Sequence, residues 1–390
     1  MRRGSRVPAV VAVLLAVAIG GSAARAQGRI RVGEEVPYQA GTVAYPVGGT
    51  DRPVSWSETI VSPGATFLRV HFSKLNLPSG DYLTVAAPGG GERWTYTGRG
   101  PRGSGELWSF SVDGDTAVVE LHSAVRAGRN KRFGVEIDRI ARGDVPLGED
   151  GFPLDKVICG TDGREDVACH TSVDVRPVAR LTFQSGGTSF VCTGWLVAGA
   201  NDSTMMTNNH CVDDQTEVST VQARFNYQRT TCGGSTTEAT LSSFAGGTFL
   251  RTSVGLDYTL LTLLGNPEAT WGEYTATIKS PTVGMTINFI QHPDGGVKRI
   301  GWWDDSAHTL RCNVATVNAT YGGSPANSQI GYSCDSEGGS SGSPIMDAGT
   351  GRIIGLHHFG GVTSNPCLNA ATQFNNICHH ARTLIACAAD

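Results

Sequence analysis

No cysteine occurs before Cys159, the first of ten, and no two of the ten stand as a C-x-x-C pair. Zinc sites favour such close pairs, so a metal-knuckle protein is excluded. Charged residues make up only 17% of the 390 residues, which argues against helix bundles and coiled coils. With a net charge near −4 and no basic stripe, the chain lacks the electrostatic footprint of a nucleic-acid-binding protein. Beyond residue 20 no apolar run is long enough to span a bilayer. Strand–helix–strand alternation is missing after Cys159, which removes a parallel α/β sheet. What is abundant is glycine, at 51 residues, beside a hydrophobic fraction of 39%. That balance suits a β-rich chain with many turns and a packed core.

The organisation follows from these shifts along the chain. Met1–Arg6 carries three arginines, Val7–Gly20 is an uncharged apolar run, and Ala24-Arg25-Ala26 offers small residues around a cleavage point. Residues 1–26 are therefore expected to be a cleaved secretory signal, and the protein to be extracellular. Export implies an oxidising compartment, where ten cysteines read as disulfides. Residues 27–145 show short strands: Phe67–Phe72, Leu107–Val112, Ala117–Leu121 and Phe133–Ile137. The Asp113-Gly114 turn predicts a hairpin joining the second to the third. This region is expected to form a small β-sandwich that serves as a pro-region or accessory module. Residues 146–158 read as a linker, and residues 159–390 as an all-β double barrel in which only the stretch from about Asn375 could be helical. The basic run Arg126–Arg132 is a candidate processing site, although a solvated loop accounts for it more simply.

Chemistry concentrates in Glu337–Asp347, EGGSSGSPIMD. Two frames fit it. Gly338–Gly342 matches the G-x-S-x-G elbow of α/β-hydrolases with Ser340 attacking. Gly339–Pro344 reads G-S-S-G-S-P and resembles the G-D-S-G-G-P loop of chymotrypsin-like serine proteases with Ser341 attacking. A serine hydroxyl needs a base to take its proton and a buried acid to orient that base. Upstream stand Met205-Met-Thr-Asn-Asn-His-Cys-Val212 and Val254-Gly-Leu-Asp-Tyr-Thr-Leu-Leu-Thr-Leu263. These resemble the T-A-A-H-C and D-I-A-L-L stretches of the same protease family. The order His210, Asp257, Ser341 is that of its chymotrypsin group, whereas an α/β-hydrolase runs serine, acid, histidine. An elbow must also feed a helix, and Arg352–Phe359 reads as a strand.

The resemblance implies a trypsin-like domain of two six-stranded antiparallel barrels with His210, Asp257 and Ser341 as triad. It implies an oxyanion hole from the backbone N–H groups of Gly339 and Ser341. Val191-Cys-Thr-Gly-Trp-Leu-Val197 matches the family's C-G-G-S-L strand and implies a Cys192–Cys211 bond. The G-S-S-G-S-P string and Phe225-Asn-Tyr-Gln228 are similar to bacterial lysyl endopeptidase, which implies Cys169–Cys232 and Cys159–Cys367. Cys312–Cys334 and Cys378–Cys387 remain as local pairs. Ser340 stands where the family's activation switch has an aspartate, so a switch of that type is not expected.

Substrate preference rests on four residues. Asp335, six positions before Ser341, sits where trypsin-like enzymes place a pocket acid, which implies cleavage after Lys or Arg. His357 falls in a G-L-H stretch similar to the G-I-H of glutamyl endopeptidases, which leaves an acidic preference as the alternative. His358 faces the other way on the same strand. Gly360 should leave room for a substrate strand at the barrel edge. The expected partners are protein or peptide substrates of a monomer without metal, cofactor, nucleic acid or membrane. A catalytically silent protease-like binding protein and a secreted esterase are the competing classes.

Overall fold

The computed structural model describes residues 29–389 apart from 43, 47–49, 125–131, 145–157, 239–241, 305–306 and 363–364. The expected signal (1–26), nearly all of the expected linker (146–158) and all but Arg132 of the run 126–132 lie outside the described residues. No helix among the described residues is long and apolar enough to cross a membrane.

One six-stranded antiparallel barrel closes completely. Its strands are Val178–Ser185, Thr188–Leu196, Thr204–Thr207, Gln222–Phe225, Ser242–Ser253 and Tyr258–Leu263, and the first pairs with both the second and the fourth. Gly186 and Gly187 take positive φ at its first hairpin, as a tight two-residue turn demands. Leu181, Phe183, Leu196, Met205, Val218, Ala223, Phe225 and Leu261 fill its interior.

The second barrel is less complete than two equal barrels would suggest. Strands Ile287–Gln291, Pro344–Asp347, Ile353–Phe359, Asn369–Gln373, Gln329–Tyr332 and Val314–Ala319 pair in that order. The ends meet through an isolated bridge between Thr286 and Asn313, with Ile287 N–H donating to Cys312 O. Among the described residues no ladder joins Val314–Ala319 to Ile287–Gln291 beyond that bridge, and the pairing of Val314–Ala319 with Gln329–Tyr332 is itself irregular. The helix Phe374–Ala381 follows and buries Phe374, Ile377, Cys378 and Ala381. One-turn helices at Gln215–Val218 and Glu268–Trp271 were not expected. Disulfides join Cys159–Cys367, Cys169–Cys232, Cys192–Cys211, Cys312–Cys334 and Cys378–Cys387.

Ahead of the barrels, Val54–Val61, Thr116–His122, Tyr82–Ala86 and Arg93–Thr97 form a four-stranded sheet. It faces strands Phe67–Asn76 and Gly134–Gly143 across a core of Leu68, Val70, Phe72, Leu83, Val85, Val119 and Ile137. The expected hairpin at Asp113-Gly114 does not form. Leu107–Trp108 and Val112–Asp113 both pair with Phe67–Asn76, while Thr116–His122 pairs in the opposite sheet. The turn carries the chain across the sandwich, so the apolar faces on either side of it meet instead of lying side by side. The strand Ile30–Gly41 belongs to two layers at once: it pairs with Gly134–Gly143 and, antiparallel, with barrel strand Thr188–Leu196.

Candidate active site

His210 follows the buried strand Thr204–Thr207, and Cys211 next to it is tied to Cys192 on the neighbouring strand. Asp257 closes the turn between Ser242–Ser253 and Tyr258–Leu263 at φ +46°, a left-handed conformation tolerated by aspartate. Asn208 Nδ2 donates to Asp257 O at 2.7 Å and so braces that turn against the His210 loop. The Asp257 carboxylate accepts from His210 N–H at 2.9 Å through Oδ1 and lies 2.7 Å from His210 Nδ1 through Oδ2. This arrangement keeps the ring proton on Nδ1 and turns Nε2 into an acceptor. Burial by itself would raise the Asp257 pKa, but the His210 and His358 rings hold it well below the usual carboxylate range.

Ser341 sits between the two barrels. Its carbonyl accepts from Thr193 N–H at 2.8 Å, and Gly342 N–H donates to His357 O at 3.0 Å. Ser341 Oγ and His210 Nε2 are both buried, and neither has a hydrogen-bond partner among the described residues. Ser340 differs in kind: its hydroxyl donates to Gln291 Oε1 at 2.6 Å in a fully buried position, and Gln291 donates onward to Asp335 O. The loop is shaped by glycine at two points. Gly339 takes φ +85°, where a β-carbon would lie 2.8 Å from Gly295 N and 2.9 Å from His292 O. Gly342 takes φ +89° against Thr193. Thr193 Oγ1 donates to Gly339 O, accepts from His292 N–H, and thereby fixes the loop to the turn Pro293–Gly295. Asp294 N–H donates to Gly338 O at 2.6 Å.

The four expected specificity residues separate. Asp335 is buried, and its two oxygens accept from Cys159 N–H at 3.1 Å and Gly163 N–H at 2.6 Å. Burial raises its pKa, partly offset by these two donors. Glu337 pairs with Arg164 at 2.5 Å, and Arg164 in turn binds Asp162. His358 lies beside the His210–Asp257 pair. It is buried beneath Asp257, with Nδ1 3.4 Å from Asp257 Oδ2 and Nε2 2.5 Å from Gln329 Oε1. His357 points to the opposite face, within 2.6 Å of Tyr332 Oη and against Phe289, and burial pushes its pKa well down. Gly360 ends the strand Ile353–Phe359 and is half-buried.

Sequence reasoning missed Thr193, Gln291, Arg164 and Gln329, which act on the site through side chains from distant strands, and His292, which acts through its backbone. Ordinary strand polarity gave no signal for them. Arg29 was missed too: its Nε donates to His210 O at 2.6 Å.

The family model described as "Lysyl endopeptidase, C-terminal domain" matches residues 160–375. Secreted RxLR effector protein 73 of Plasmopara viticola is 28% identical over 333 residues, covering 80% of this chain and 79% of that protein. Lysyl endopeptidase of Pseudomonas aeruginosa is 29% identical over 315 residues, covering 74% of this chain. The matched part spans 64% of the length of that enzyme. A solved structure of a Glu endopeptidase in complex with MPD is 22% identical, covers 58% of this chain and 99% of its own, and gives a TM-score of 0.41.

Proposed function

The chain belongs to the serine endopeptidase family of the lysyl endopeptidase C-terminal domain, and on that premise we propose that it hydrolyses peptide bonds with Ser341 as nucleophile, His210 as base and Asp257 as orienting acid. One observation carries the assignment. Asp257 fixes His210 through two hydrogen bonds, and the outward Nε2 and the Ser341 hydroxyl are both buried and unspent. Ser341 Oγ attacks the carbonyl carbon as its proton passes to Nε2, and the carbonyl oxygen becomes an oxyanion. The N–H groups of Gly339 and Ser341 receive that charge, each worth about 3–4 kcal/mol in the transition state. Nε2 then protonates the departing amine, and water repeats the sequence on the acyl-enzyme. The acyl half of the substrate would run along the strand edge ending at Gly360.

The proposed substrates carry Lys or Arg before the bond cut. Glu337 is neutralised by Arg164, whereas the hydrogen bonds to Asp335 come from backbone N–H groups that favour its charged form without cancelling it. A glutamyl preference would need a cationic His357, and burial holds that ring neutral. We assign secretion to residues 1–26, and an accessory or pro-region role to residues 27–145. Sequencing the N-terminus of the secreted protein tests both assignments. For the catalytic reading, a fluorophosphonate should label Ser341, and Ser341→Ala should lose both labelling and peptide cleavage. Labelling on Ser340 would overturn it. A cleavage-site profile on a proteome digest tests the preference, and a majority of cuts after Glu or Asp would reverse it.

A further inference from the structure

The first described strand reaches the proposed nucleophile. Ile30 pairs with Val191 and Glu34 with Thr188 in antiparallel register. The barrel strand runs from Thr188 toward Thr193, whose N–H holds Ser341 O. Followed backwards from Glu34 to Ile30, the leading strand therefore approaches Ser341 with its N-terminal end. A substrate's leaving-group half has that polarity: its new N-terminus starts at the nucleophile and the chain runs away from it. The residues just after Ser341 are held by the strand that would carry the acyl half, with Gly342 N–H donating to His357 O and Ser343 O accepting from His357 N–H. The Thr188–Val191 edge is thus the remaining side for the leaving-group half.

The side chains add specificity to this placement. Ile30 is 6% exposed and lies against Gly338, where an added β-carbon would strike its Cδ1. It also packs on Val191 and Phe67. Arg29 donates to His210 O and to Ser185 Oγ at 2.8 Å, and its guanidinium forms a two-pronged pair with Glu217, with Asp213 at 3.8 Å. Its Cζ lies 5.9 Å and 5.7 Å from the ring centroids of Phe183 and Phe190. A bidentate carboxylate flanked by aromatic rings is a recognition site for a guanidinium.

We propose that Glu217, Asp213, Phe183, Phe190, Val191 and Gly338 form a leaving-group subsite for an extended peptide with a basic residue followed by an aliphatic one, which Arg29-Ile30 fills in the chain itself. The leading strand holds the place of a substrate's second half, and incoming peptides must displace it. The proposal rests on Ser341 being the nucleophile, as assigned above.

The test compares two substrates on the full chain. One is a p-nitroanilide of the residue selected in the cleavage profile, which has no residues beyond the bond cut. The other continues past that bond with Arg-Ile-Arg-Val. Ile30→Asp should raise the ratio of kcat/KM for the long substrate to that for the anilide by about tenfold. Glu217→Gln is a second variant, on the barrel side. It should abolish the preference for Arg over Ala at the first leaving-group position in either background. The amidated hexapeptide RIRVGE should inhibit the Ile30→Asp variant competitively, about tenfold better than its AIRVGE counterpart. An unchanged ratio with Ser341 still labelled by fluorophosphonate, or equal inhibition by the two peptides, overturns the subsite alone. No labelling and no turnover of the anilide by any form overturns the protease reading itself.

Discussion

Asp257 does more than orient one ring. It receives His210 twice and has His358 behind it, so its charge is the anchor of the site. Asp257→Asn should retain the shape but favour the wrong His210 tautomer, and kcat should fall by about 10⁴ in a steady-state assay. Asp335 carries a different expectation. Burial raises its pKa, so as pH falls it protonates earlier than an ordinary aspartate would. Cleavage after Lys or Arg should therefore weaken, through a rising KM, at a higher pH than an ordinary aspartate would set. Asp335→Asn should remove that acidic limb while leaving ester hydrolysis of uncharged substrates in place. A KM that is flat across the acidic range for both forms would show that Asp335 serves only as a clasp. The choice of Ser341 over Ser340 is argued from sequence, because it depends on motif order. The clasp of Asp335 on Cys159 and Gly163 was not, because its partners lie 176 and 172 residues away.

Elements explain what single residues could not reveal. The resemblance marked Gly339 as an oxyanion donor, but the reason a glycine must stand there is a second element: the turn Pro293–Gly295 presses against the loop, and Thr193 ties the two together. Gly339→Ala must push either loop or turn aside, because both close neighbours are backbone atoms. The oxyanion donor then moves, and kcat should fall by about 10²–10³ with little change in KM. Fluorophosphonate labelling should slow in parallel, and far-ultraviolet circular dichroism should report an intact fold. Alternating strands and glycine hairpins made the all-β class readable. The Asp113-Gly114 turn misled because a turn signal gives the reversal and not the sheet that receives the next strand. The open seam of the second barrel was equally hidden, since nothing in the sequence marks that Ile287–Gln291 and Val314–Ala319 meet through a single bridge.

At the scale of the whole molecule, the pre-barrel layers and the barrels share buried polar seams. Arg69 is buried and donates to Thr220 O, Arg224 pairs with Glu92, and Ser111 N–H donates to Gln222 Oε1. Buried polar groups give folding a charge dependence, and the sharpest case is Lys298, whose partners lie within the barrel region. It is fully buried, its backbone N–H donates to Tyr227 O, and Nζ donates to Val175 O at 2.8 Å. Burial, eased only by Asp174, lowers its pKa from 10.5 to about 7. Between those values the unfolded chain holds a proton that the folded chain does not. Raising the pH through that window therefore strengthens folding, by at most about 1.4 kcal/mol per pH unit from this one group. Below pH 7 both states hold the proton and the contribution to the slope disappears. Lys298→Met removes the titrating group, so urea unfolding at pH 7, 8 and 9 should give a smaller rise in stability with pH than the parent shows. Met also forfeits the bond to Val175 O, which costs about 1 kcal/mol at every pH. The two effects separate cleanly, because one is a slope and the other an offset. Parallel curves for the two proteins would mean that Lys298 keeps its proton inside the folded chain.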